Sequence, residues 1–264
     1  MVDARRRVAL VVEYDGTRYQ GFQLQANAST VQGELERAVA SLTLAPCRIQ
    51  AAGRTDTGAH AAGQVAAFST SSRLPCKAMA QGLNHFLPLD VAVQAAYDVP
   101  AHFDPRRHAL SRVYRYTFLN RAERSPLRER FAHRVAEPLD DEAMGLALRL
   151  LEGVHDFASF GGPVASGKST LRHVLATRLW RERELVQFEV EANAFLPHQM
   201  RRIAGMLVMV GTGRLSLEGV CALRDRRPPV LSRMAPALPA RGLSLMQVKY
   251  EDFPPHGRQT PEDI

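Results

Sequence analysis

Residues 172–192 read RHVLATRLWRERELVQFEVEA. Two runs with interleaved apolar and polar residues, Arg172–Trp180 and Leu185–Ala192, flank the charged stretch Arg181-Glu182-Arg183-Glu184. That pattern predicts an antiparallel hairpin. Upstream, Leu139–Leu151 has helical spacing, with Asp140, Asp141 and Glu142 in its first turn, where acidic groups suit the helix dipole. A strand over Arg112–Asn120 precedes it. Downstream come a helix over Phe195–Val210 with Pro197 in its first turn, a short helix over Leu217–Leu223, a Pro-rich connection and a last strand over Leu243–Tyr250. The principal elements therefore run β-α-β-β-α-β.

The same order occurs earlier in the chain. Val8–Tyr14 reads as a buried strand ending at the turn dipeptide Asp15-Gly16. Val31, Leu35, Ala38, Val39 and Leu42 have helical spacing, and Ser29 with Gln32 predicts a capping box at that helix start. Short strands follow at Cys47–Ala51 and Gly63–Ser69. Met79, Leu83 and Phe86 mark a second helix, and Val91, Val93, Ala95, Tyr97 and Val99 alternate as one face of a strand. The fold class expected is α+β: two ferredoxin-like halves with antiparallel sheets side by side, helices on one face and a central basic cleft. The N-terminal half spans residues 1–108 and the C-terminal half residues 109–250. Residues 251–264, with three prolines and several charges, read as a mobile tail.

The sequence has 264 residues, and 34 Lys+Arg against 27 Asp+Glu give a formal charge of 34 − 27 = +7. This basic balance favours a polyanionic partner without requiring one. Forty-five per cent hydrophobic residues exclude wholesale disorder. No apolar run approaches the length of a membrane span. Three well-separated cysteines, Cys47, Cys76 and Cys221, offer neither a zinc knuckle nor a disulfide framework. The expectation is a cytoplasmic protein with no metal.

Three polar constellations stand out. Gly53-Arg54-Thr55-Asp56-Thr57-Gly58-Ala59-His60 connects two strands and is far more polar than a hairpin crossing needs, which favours a functional loop over a simple Asp/Gly turn. Ser111-Arg112-Val113-Tyr114-Arg115-Tyr116 puts both tyrosines on one strand face. They form either a core aromatic pair or a platform for an unstacked base, with flanking arginines for phosphates. In Phe195–Ile203, Arg201 lies beside the buried stripe of Met200, Ile203, Ala204 and Leu207. It is either a solvated helix arginine or one aimed into a cleft to pair a carboxylate, with Arg202 turned outward.

A fourth stretch, Gly162–Ser169, matches the GxxxxGK[ST] phosphate-loop pattern. That motif works only between a buried strand and a helix. Here a hairpin follows, so Lys168 sits in a Gly/Ser loop rather than in a nucleotide site.

Together these segments resemble the TruA family of tRNA pseudouridine synthases. The resemblance runs from Glu13–Thr17 and Gly21–Gln23 through Gly53–Ala61, His102–Pro105, Arg112–Tyr116 and Phe195–Ile203 to Gly242–Leu245. Phe22 replaces the family's usual Trp, and Ala59 its usual Val. The resemblance implies isomerisation of uridine to pseudouridine at positions 38 to 40 of the tRNA anticodon stem-loop. It also implies a homodimer bridged by tRNA, with no nucleotide cofactor and no metal. By similarity Asp56 is the catalytic aspartate and Arg201 pairs its carboxylate. Arg54 helps extrude the target base, Tyr114 stacks on the flipped uracil, and Leu245 packs near it. Arg5, Arg6, Arg7, Arg106, Arg107, Arg226 and Arg227 are candidate contacts to the RNA backbone. The competing readings are an RNA-binding module without catalysis and a phosphotransferase built on Lys168.

Overall fold

A computed structural model describes residues 5–162, 167–225 and 235–253. The N-terminal half contains β1 (Arg6–Tyr14), α1 (Val31–Thr43), β2 (Gln50–Ala51), β3 (His60–Thr70), α2 (Cys76–Phe86) and β4 (Val91–Val99). Then come β5 (Ser111–Asn120), β6 (His133–Val135), α3 (Asp141–Arg149), β7 (Gly153–Asp156), β8 (Leu171–Glu182) and β9 (Leu185–Ala192). The chain continues through α4 (Gln199–Gly211) and α5 (Leu217–Asp225) to β10 (Leu243–Lys249).

The strands do not form two separate sheets. They make one sheet in the order β4-β1-β3-β10-β5-β9-β8-β7, with β2 added to β3 and β6 to β5. The joint is β10, antiparallel to β5 and parallel to β3 through Ser244–His60 and Leu245–Ala61. The expectation of wholly antiparallel sheets is thus corrected at this joint and at the parallel β5–β6 pair. The reason lies at one edge of β3. Because β2 has only two residues, it pairs with β3 at Ala66 and Ala67 alone. The start of β3 is left for β10, and residues 52–59 leave the sheet at this divide.

Helical periodicity produces the core. Leu35, Ala38 and Val39 of α1 and Met79 and Leu83 of α2 are buried, and the two helices pack against each other. In α4, Met200, Ile203, Ala204, Leu207 and Val210 are buried, and that helix packs against α3. Each fully buried Leu or Phe contributes about 1.5–3 kcal/mol.

Helix starts differ from expectation in detail. Thr30, not Ser29, caps α1, its hydroxyl accepting from the Gly33 amide at 3.3 Å. Asp140 caps α3, accepting from Ala143 at 2.9 Å. Helix α4 begins at Gln199 rather than Phe195, because His198 has φ +61° and reverses the chain just after Pro197.

The phosphate-loop pattern has the wrong neighbours. A short 3₁₀ turn, Phe157–Phe160, precedes it and β8 follows it, so among the described residues the motif does not lead into a helix N-terminus that could hold phosphate. Its residues 163–166 lie outside the described residues, as do Arg226, Arg227 and 254–264 of the expected tail. At the start of that tail, Phe253 is buried against Tyr97, Phe103 and Tyr250.

Candidate active site at the joint of the sheet

The loop after β2 is fixed from below and from both ends. Tyr14 and Thr55 share a hydroxyl hydrogen bond of 2.8 Å. Gln64 donates to the Gly53 carbonyl at 2.9 Å. The amides of Phe22 and Gly58 donate to Thr55 and Tyr19 carbonyls, and Ala59 donates to the Asp56 carbonyl at 3.0 Å. Gly58 turns the chain with φ +79°, a conformation costly for residues with a Cβ. Gly16 passes so close that a Cβ there would lie 1.8 Å from the Ala59 oxygen. Burial pushes the Tyr14 phenol up to about 12, so it stays a neutral hydrogen-bonding partner.

This framework presents Asp56, whose side chain is 28% exposed. Arg201, from the start of α4, donates from Nη1 to Asp56 Oδ2 at 3.0 Å, bridging 145 positions of sequence. The Arg201 Nε donates to the Leu238 carbonyl at 2.6 Å. The ion pair joins a loop of one half to a helix of the other through a charge-assisted hydrogen bond. Neighbouring threonines do not hold that carboxylate: Thr55 serves Tyr14, and the Thr57 hydroxyl reaches Gln20.

His198 escaped the sequence reading as a site residue. Its Nε2 lies 3.9 Å from the same Oδ2. The detectable signal was Pro-His at a helix start, which gives the chain a sharp entry but does not disclose where the ring points.

Tyr114 is buried close to the loop. Its ring meets Phe195 edge-on, 4.9 Å between centroids, and its hydroxyl is 3.8 Å from where a Cβ on Gly53 would stand. Burial, followed by Tyr14 and the charge of Asp56, raises its phenol well above the ordinary range. Leu245 is wholly buried and sits directly across from Tyr114 in the β10–β5 register. Arg54 is exposed, and its Nε donates to Gln23 at 3.1 Å. Tyr116 does not share a platform with Tyr114. It is a core residue, stacked with Phe188, whose hydroxyl donates to Pro239 at 2.8 Å.

Several arginines proposed for phosphate have protein partners. Arg112 donates to the carbonyls of Ala52, Arg106, Ala109 and Asn193. Arg115 pairs with Glu189 at 2.7 Å, Arg6 with Asp98, and Arg107 with Asp104. Arg7 donates to the Phe103 carbonyl. Arg202 is not directed purely to solvent, since it donates to Ala235 at 3.2 Å. Arg5 and Lys168 are exposed.

The joint itself is tied by His60. Its Nδ1 accepts from the Gly16 amide at 3.1 Å, and its Nε2 faces the Arg241 carbonyl at 3.1 Å. Burial lowers the imidazole below its usual range despite nearby Asp15, so the neutral ring with Nε2–H donating fits both contacts. A separate hollow lies at Asp15, Arg18, Leu89, Asp90, Arg130 and Phe131. Its carboxylates are engaged by its own arginines, Arg18–Asp90 at 2.6 Å and Arg130–Asp15 at 2.5 Å. Among the described residues, no group of three His, Cys, Asp or Glu side chains is placed to hold a metal, and no helix is long and apolar enough to cross a membrane.

A Gly-rich loop carrying an arginine-paired aspartate, beside a buried tyrosine, is the arrangement expected of a pseudouridine synthase. The family model described as tRNA pseudouridine synthase matches residues 10–106 and 147–251, and the chain belongs to that family. It is an isomerase of the TruA type. A tRNA pseudouridine synthase A of Pelobacter propionicus is 42% identical over 245 residues, covering 93% of this chain and all of the relative. Those of Myxococcus xanthus and Chloroflexus aurantiacus are 42% and 44% identical over 253 residues. They cover 94% and 93% of this chain, and 94% and 89% of their own lengths.

Proposed function

We propose that this enzyme isomerises uridine to pseudouridine at positions 38 to 40 of the tRNA anticodon stem-loop, with Asp56 as its catalytic residue. The observation that carries the reading is the 3.0 Å pair between Asp56 and Arg201, formed across the two halves. The reaction breaks the N1–C1′ glycosidic bond, turns the uracil and joins C5 to C1′; the C5 proton leaves and N1 takes up a proton. No redox change or group donor enters. A carboxylate serves either as nucleophile at the sugar or as the stabiliser of positive charge developing there, and both roles need its ionised form. Arg201 sets a positive charge directly against that carboxylate.

Flipping a stacked uridine costs a few kcal/mol. Stacking on Tyr114 returns about 1–3 kcal/mol, and Arg54, exposed at the loop, fills the vacated place. Leu245 closes the floor opposite Tyr114. Each half is read as a ferredoxin-like unit with the site in a basic cleft between them. That reading is supported by the shared strand order, last-first-third-second, of β4-β1-β3-β2 and β10-β5-β9-β8. The enzyme acts in the cytoplasm as a homodimer that tRNA bridges, without metal or nucleotide cofactor.

Tritium release from tRNA carrying C5-labelled uridine tests the proposal. Release is expected with the wild type and not with Asp56→Asn, whose tRNA affinity stays within a few-fold. Normal turnover in that variant rejects the role of Asp56. Pseudouridine found only outside positions 38 to 40 rejects the target.

A further inference from the structure

The guanidinium of Arg201 has to be aimed before it can pair with anything. A long arginine leaving a buried helix has many rotamers, and one hydrogen bond to an aspartate does not fix them. In this protein the aim comes from the segment 235–239, which lies across α4 just before β10. Leu238 closes a two-way clamp: its amide donates to the Arg201 main-chain carbonyl at 3.0 Å, and its carbonyl accepts from Arg201 Nε at 2.6 Å. With Nε held, Nη1 is the atom that reaches Asp56. Two further bonds pin the same segment, from Arg202 Nη1 to Ala235 and from the Tyr116 hydroxyl to Pro239.

The segment can lie this close because residue 205, one helical turn beyond Arg201, is glycine. A Cβ on Gly205 would stand 2.0 Å from the Pro236 carbonyl oxygen. That contact is with backbone, so a side chain at 205 must push the whole strap away from the helix. A displacement on the ångström scale is enough to spoil a catalytic geometry.

We infer that Gly205 and the 235–239 strap are positioning elements for Arg201, acting on the reaction only through the direction of its guanidinium. The inference rests on the proposed role of Asp56. It assigns a functional constraint to a buried glycine whose close neighbour is the Pro236 backbone, and it makes the backbone of Leu238 part of the device.

The test is a coupling experiment. Gly205→Ala is expected to lower kcat for tritium release at least tenfold, with KM and measured tRNA affinity unchanged within twofold. The same substitution placed in an Arg201→Met background is expected to cost less than twofold more, since no guanidinium is left to misdirect. A merely structural role predicts the same fractional loss in both backgrounds, and that additive result overturns the inference. Should Gly205→Ala fail to fold, Tyr116→Phe decides. It frees the strap at Pro239 without adding bulk to the helix interface. A several-fold fall in kcat that vanishes in the Arg201→Met background supports the device, and equal losses in both refute it. A wild-type enzyme that releases no tritium refutes the underlying reading instead.

Discussion

The two halves share a strand order but use it differently. The second strand of the β-α-β-β-α-β order along the chain is β2 in the N-terminal half and β8 in the C-terminal half. The first has two residues and the second twelve. Consequently β8 meets β9 through a tight turn at Arg183 and Glu184, with Arg183 at φ +55°, while β2 gives way to the 52–59 loop. Shortening one strand achieves two things at once. It frees chain for a polar loop, and it vacates the β3 edge that β10 then occupies. The N-terminal half supplies the carboxylate from a strand connection. The C-terminal half supplies the guanidinium from a helix start.

The sharpest way to break this comparison is to alter the acid in each connection. Asp56→Asn is expected to cut turnover by roughly 10³-fold or more, whereas Glu184→Gln in the β8–β9 turn leaves it within about twofold; tritium release measures both. Next in size is Arg201→Met, expected to lower kcat by about 10²-fold while filter binding shows tRNA affinity little changed. An undiminished kcat there would mean the halves need not be joined by that pair. Tyr114→Ala is expected to lose about tenfold in single-turnover rate, with Tyr114→Phe retaining most of it; equal losses would assign the role to the hydroxyl instead of the ring face.

The smallest effect concerns β6, which extends the C-terminal sheet only. His133 in that strand is held down to about 4 by burial, then by the charges of Arg241 and Arg134. Its neutral form is thus favoured by folding. That contribution is complete above the ordinary imidazole value and is lost as pH falls from about 6.5 towards 4. Urea midpoints over this interval should fall, and fall less in His133→Gln. A wild-type midpoint flat across it would contradict the assignment.

Much of this architecture was legible because its strands alternate cleanly. Val91–Val99 and Leu185–Ala192 have the boundaries their patterns predict. Strands β6 and β7, of three and four residues, are too short to carry a period. The parallel contact of β10 with β3 depends on an edge left open nearly two hundred residues earlier, and no local pattern encodes it. In the site, the helical phase of Arg201 marked it as able to face inward, and the polarity of the 53–60 loop marked Asp56. Pro-His marked a chain entry but not the aim of the His198 ring, and the 235–239 strap was invisible, because a carbonyl acceptor leaves no side-chain signature. The arginines around Tyr114 misled for the opposite reason: composition records their charge, not the carbonyls and carboxylates that already engage them.

The central placement of β10 has a consequence for the newborn chain. Translation delivers the first four strands early, yet the open edge of β3 waits for residues 243–249. At about 5–20 residues per second, ribosomes take roughly ten to thirty seconds to bridge that gap. Throughout it the nascent protein carries an unpaired strand edge, a standing invitation to misassociation, and its first hundred residues hold an aspartate with no arginine yet made to meet it. On the function proposed above, activity switches on late in synthesis, and a chain broken off before its tenth strand is expected to release no tritium from labelled tRNA.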